Sequence, residues 1–116
     1  CMNKYHNRKV TVNGITFDSQ KEADRYLELM LMQKAGQIDR LKLQPEFTLQ
    51  EAFTTPDGEK VKAIRYRADF TYRKKMRDGV DTYWVSVVED VKGYRTKEYQ
   101  QKRKMMLDMG IRVIEV

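Results

Sequence analysis

The sequence predicts an α/β domain: a mixed β-sheet flanked by helices, in the order α-β-β-β-α-β behind an N-terminal β-hairpin. Three observations carry that prediction. Val85–Asp90 is a run rich in β-branched residues, of the length and kind that form a buried central strand. Ile64–Tyr72 alternates, with Ile64, Tyr66, Ala68, Phe70 and Tyr72 on one face and Arg65, Arg67, Asp69 and Thr71 on the other. Two helical segments open on Ser19 and Thr96 and stop at Gly36 and Gly110, and the second leads straight into an apolar strand.

Taken in order, Lys4–Lys9 is a basic arm. Val10–Phe17 reads as a hairpin, because Asn13-Gly14 suits the positive-φ positions of a type I′ turn. Ser19 opens a helix to Ala35, with Ala23, Tyr26, Leu27 and Met30 as its apolar face. Leu43–Phe53 is expected to be one strand, with Pro45 marking its start or an edge position. Pro56-Asp57-Gly58 turns the chain into the 64–72 strand. The polar stretch Lys74–Asp81 should connect that strand to its antiparallel neighbour, the Val85–Asp90 strand. A helix from Thr96 to Met109 follows, and then a strand over Ile111–Val116. The last β-α-β step should be a right-handed crossover, which sets the final strand parallel to the Asp90 strand. Tyr66, Tyr72, Tyr83 and Trp84 are expected in the core, together with Met105, Met106 and Met109.

The full chain has 116 residues, enough for one hydrophobic core and hence a single domain over 1–116. Its formal charge is +6, from 23 basic and 17 acidic side chains, which favours a polyanionic partner. A single cysteine forms no intramolecular disulfide, and with one histidine there is no zinc-type Cys/His cluster. The lone histidine, His6, lies in the basic arm, which excludes a His-dependent nucleophilic triad. Cys1 precedes Met2, which reads as a native start with one added residue in front. No apolar run approaches a membrane span and no secretory signal is visible, so a cytoplasmic location and no membrane partner are expected.

Chemistry is suggested by the end of the Val85–Asp90 strand. Asp90 and Lys92 stand two residues apart and so share a strand face. A carboxylate that holds a divalent cation, beside an ammonium near its water, is a hydrolase-like arrangement, and it needs a second carboxylate. Asp69 supplies it, from the polar face of the neighbouring strand. Asp90-Val91-Lys92 is the only acid-x-Lys triplet in the chain; composition alone yields about one, so its weight comes from the strand before it and the Gly93 turn after it. The competing explanation is an ion pair at a strand end, worth at most about 1 kcal/mol. Glu22 has two readings: the acid of a Ser19-x-x-Glu22 capping box, or a side chain at the border of the helix face that looks towards the sheet rim. Lys102 falls near the centre of the second helix's apolar arc, either snorkelling or reaching towards a phosphate.

The order of these residues resembles the PD-(D/E)XK nuclease superfamily. More closely, the chain resembles a group of small phage-encoded proteins within it. The likeness rests on the Asn-Gly hairpin followed by Phe17-Asp18-Ser19-Gln20-Lys21-Glu22-Ala23, on Leu43-Gln44-Pro45, on Ala68-Asp69-Phe70, and on Glu89-Asp90-Val91-Lys92-Gly93 with Thr96, and it runs from about Lys4 to the end. Ala68 stands where the name-giving proline would be, and Asp90 replaces the commoner glutamate. The resemblance implies a restriction-endonuclease-like αβββαβ core and a metal-dependent DNA endonuclease of the Holliday-junction-resolvase kind. On that basis Asp69, Asp90 and the Val91 carbonyl would hold Mg²⁺, with Mn²⁺ as a substitute. Glu22 would be an extra ligand of the metal or its water, and Lys92 would orient or deprotonate the attacking water. Lys102 would be a polar recruit from the second helix. Arg65, Arg67, Lys4, Arg8 and Lys9 would contact the DNA backbone. Branched DNA and a homodimer would follow, in the cytoplasm of a phage-infected or prophage-carrying bacterium. Two other classes compete: a non-catalytic nucleic-acid-binding module, and an accessory to phage replication or packaging.

Overall fold

The computed structural model describes residues 8–91 and 95–116. Among them it is mixed α/β and largely strands. The order is β1 (Val10–Val12), β2 (Ile15–Phe17), α1 (Gln20–Lys34), β3 (Ile38–Leu43), β4 (Glu46–Gln50), β5 (Phe53–Thr54), β6 (Lys60–Val61), β7 (Ile64–Arg67), β8 (Phe70–Asp78), β9 (Asp81–Asp90), α2 (Lys97–Asp108) and β10 (Val113–Glu115). The main sheet has the strand order β10-β9-β8-β3, while β1 pairs with β2, β4 with β7 and β5 with β6. No helix among the described residues is long and apolar enough to cross a membrane.

The chain forms two compact units. The first holds the described residues up to Leu41 together with Arg73–Val85. Its hairpin turns at Asn13 and Gly14, both with positive φ (52° and 78°), as the Asn-Gly signal requires. Ser19 caps α1 by accepting the Glu22 amide at 3.1 Å, and Gly36 (φ 78°) follows the C-cap Ala35. Phe17 and Tyr26 pack with ring centroids 5.0 Å apart. The second unit holds Lys42–Tyr72 and Ser86–Val116. Its core is Tyr66, Ala68, Val88, Tyr99, Met106 and Val113, with Phe47, Leu49 and Ile111 packed against it. β10 lies parallel to β9, with Val113 opposite Val88 and Glu115 opposite Asp90, as the crossover expectation requires.

Several expectations are corrected. The 64–72 segment is two strands: β7 pairs with β4, and after Ala68-Asp69 the chain enters β8 of the main sheet. Its burial still alternates through the break, so periodicity identified the faces and missed the change of partner. Leu43–Phe53 is likewise divided among the end of β3, β4 and β5. β3 itself was not expected. Arg40 adopts φ 54° within it, and the buried Ile38 therefore does not keep step with Leu41 and Leu43. Lys74–Asp81 is not a loop, because β8 runs to Asp78 and only Gly79-Val80 separates it from β9. Tyr83 and Met109 are exposed (47% and 49%) rather than core, Met105 and Trp84 are half-buried, and Val85 is also open to solvent.

Candidate functional site

The acidic centre lies at the inner end of β9. Asp69, between β7 and β8, is locked by its backbone on both sides: its amide donates to the Glu89 carbonyl at 3.1 Å, and its carbonyl accepts the Gln44 amide at 2.9 Å. Its carboxylate Oδ2 accepts the Val91 amide at 2.6 Å, a short charge-assisted bond. Val91 follows Asp90, so this contact brings the Asp69 side chain to the Asp90–Val91 peptide. The Asp69 carboxylate thus reaches the peptide that follows Asp90, while the Asp90 carboxylate takes the Tyr66 hydroxyl.

Asp90 is fully buried, and its Oδ2 accepts the Tyr66 hydroxyl. Its carbonyl accepts the Val116 amide at 3.1 Å, which anchors the last residue beside it. Burial, then the hydrogen bond to Asp90, then negative charge from both Asp90 and Asp69, push the Tyr66 phenol far above its ordinary range. The Tyr66 hydroxyl is the hydrogen-bond donor of this pair. Its neighbour Tyr99 lies 6.2 Å away between ring centroids and donates to Glu115 Oε2 at 2.9 Å; burial, and then that bond, raise its phenol as well.

Sequence reasoning missed Glu89. It is 1% exposed and accepts the Tyr72 hydroxyl. The available signal was its place inside the apolar run, because a central strand is covered on both faces and neighbouring positions are both buried. The donors Tyr66 and Tyr72 were read as plain core aromatics, although a buried phenol needs a polar partner.

The remaining assignments separate. Glu22 lies in the other unit and sits within the buried stripe of α1 (Glu22, Ala23, Tyr26, Leu29), at 4% exposure, not at its border. Leu27 and Met30, expected on that face, are exposed. Lys102 is largely covered and ion-paired to Glu98 at 3.0 Å. It shares a shallow depression of about 180 Å³ with Arg67, Tyr66, Thr96, Glu98 and Tyr99. Arg65 is exposed and 3.8 Å from Glu46, and Arg8 and Lys9 are exposed. Lys4 and Lys92 lie outside the described residues.

Asp69, Asp90 and the Val91 carbonyl form an oxygen-only donor set, which suits Mg²⁺ in kind. Among the described residues no three His, Cys, Asp or Glu side chains are grouped to hold a metal ion.

Residues 2–112 match a family model described as "Protein of unknown function (DUF1064)". No curated protein and no solved structure was found to match the chain at a significant level.

Proposed function

The chain belongs to the DUF1064 family, and we propose that it is a metal-dependent phosphodiesterase acting on DNA, with a restriction-endonuclease-like core. The observation that carries this reading is the 2.6 Å bond from the Val91 amide to Asp69, which brings the Asp69 carboxylate onto the peptide that follows Asp90, within the Asp90-Val91-Lys92 triplet. Asp69, Asp90 and the Val91 carbonyl would hold the Mg²⁺. When bound, such an ion polarises a phosphoryl oxygen and lowers the pKa of its water.

The chain's own groups supply the rest. Tyr66 holds the Asp90 carboxylate in place by donating its hydroxyl hydrogen to it. Asp69 is oriented by the backbone of β9, which limits the reorganisation needed at the site. Lys92, two residues after Asp90, would orient the attacking water and offset charge at the phosphorus. Arg67 and Lys102, which border one depression with Tyr66, would contact the backbone, as would Arg65, Arg8, Lys9 and Lys4. Glu22 belongs to the other unit, and its assignment to the chemistry rests on its place in the sequence. The substrate proposed is branched DNA, cut by a homodimer because strands on two arms must be cleaved.

The full burial of Asp90 supports a second reading, a nucleic-acid-binding module in which Tyr66–Asp90 is a core hydrogen bond. One experiment separates the two. The protein is incubated with linear, flap and four-way DNA in Mg²⁺, Mn²⁺ or EDTA. Cleavage in either metal and none in EDTA is expected. Binding across the panel without cleavage in any condition would select the second reading.

A further inference from the structure

A depression of about 200 Å³ lies against α2 and β10, lined by Arg95, Tyr99, Gln100, Arg103, Lys104 and Glu115, all in one compact unit. It carries three cations and one carboxylate. The carboxylate is already engaged, since Glu115 Oε2 receives Arg95 Nε at 2.9 Å and the Tyr99 hydroxyl at 2.9 Å. Arg103 is half-buried, and its Nε is shielded from water with no hydrogen-bond acceptor among the described residues. A guanidinium N–H with neither water nor acceptor is incomplete; it is out of reach in this conformation, and a turn of the guanidinium into the depression that Arg103 already lines would hand it to an oxyanion bound there. Lys104, exposed on the next residue, adds charge at the rim, and Gln100 adds a neutral donor.

The geometry points to a phosphate-binding subsite here, with Arg103 as its principal donor and a nucleic-acid backbone phosphate as its ligand. Glu115 stands opposite Asp90 in the β10–β9 register, so a strand lying across the acidic centre would pass this depression. The choice of backbone phosphate rests on the phosphodiesterase reading. The anion site itself rests on Arg103.

The test uses the full chain in EDTA, so that no DNA is cut. The Nε–H resonance of Arg103, identified by its loss in Arg103→Gln, is followed during titration with a DNA duplex and, separately, with inorganic phosphate. Duplex affinity is measured over a range of salt for wild type, Arg103→Gln and the surface variant Lys104→Gln. The resonance should move on adding duplex. Arg103→Gln should bind roughly tenfold more weakly at low salt, and its slope of log affinity against log salt should be shallower by about 0.9, as for one lost phosphate contact. Lys104→Gln should show a smaller loss in the same direction. A resonance unmoved by both probes overturns the subsite, and movement with inorganic phosphate but not duplex overturns the backbone as its ligand. Movement with duplex by a protein that cleaves nothing in Mg²⁺ or Mn²⁺ upholds the subsite while removing the phosphodiesterase reading.

Discussion

Strand β9 changes character halfway along its length. Its first half, Asp81–Ser86, is solvated: Tyr83 and Val85 are exposed (47% and 41%), and Trp84 is half-buried, with the Arg73 guanidinium 4.9 Å and the Lys75 ammonium 5.6 Å from its ring centroid. Its second half, Val87–Asp90, is buried at every position, and the two acids there each take a tyrosine hydroxyl. Both halves contain valine and an acid, Asp81 and Val85 in the first and Val87, Val88, Glu89 and Asp90 in the second. A strand former therefore does not choose its own burial; the elements packed over it do. The solvated half lies beside cations, Arg73 and Lys75 over Trp84, the buried half takes phenol donors, and only the buried half holds carboxylates where solvent does not screen them.

The largest expected difference between the halves is in cleavage. Asp90→Asn and Asp69→Asn should each lower cleavage by about a hundredfold or more, and Mn²⁺ binding measured by titration should weaken with it. Asp81→Asn, at the other end of the same strand, should leave both unchanged. Equal activity in all three would detach the acidic pair from any chemistry.

Stability should divide the strand next. Tyr66→Phe removes the donor to a fully buried carboxylate and should cost about 1–3 kcal/mol in denaturant unfolding. Tyr83→Phe on the exposed half should stay within about 0.5 kcal/mol. Val88→Ala, within the core cluster, should cost about 1–2 kcal/mol, and Val85→Ala much less. Similar losses at Val85 and Val88 would mean that the first half of β9 is covered in solution.

The smallest effect concerns the surface pair. Arg73 donates to Asp39 through Nε at 2.8 Å and Nη2 at 2.6 Å. Those bonds, ahead of the opposing effect of burial and with help from the Arg73 charge, hold the Asp39 carboxyl below its ordinary value. A depressed carboxyl contributes stability that is present above the unfolded value, about pH 3.9, and lost as pH falls through the folded one. Carboxyl NMR titration should therefore give Asp39 a midpoint below the ordinary value, and Arg73→Gln should return it upwards. Because the pair is partly exposed, its share of the acid-unfolding curve should be slight.

Much of the scaffold was legible in the chain because its signals are local. Ser19 and Thr96 cap their helices, Gly36 and Gly110 take the left-handed conformations that end them, and Asn13-Gly14 makes the hairpin turn. Each depends on side-chain chemistry within a few residues. The alternation over 64–72 and the parallel return of β10 are almost as local, set by strand period and crossover hand. The meeting of Asp69 with the end of β9 was readable for the same reason, since each acid sits at the edge of a well-marked strand. What only the tertiary structure decided depends on partners distant in sequence. These include the exchange of β4 for the main sheet at Ala68-Asp69, the assignment of Tyr66 to Asp90 and Tyr72 to Glu89, the burial of Glu22 within the α1 stripe, and the exposure of the first half of β9. A residue's propensity and period state which face it shares with its neighbours. Whether that face meets water, a phenol or another carboxylate is set by elements that pack on it from elsewhere in the chain.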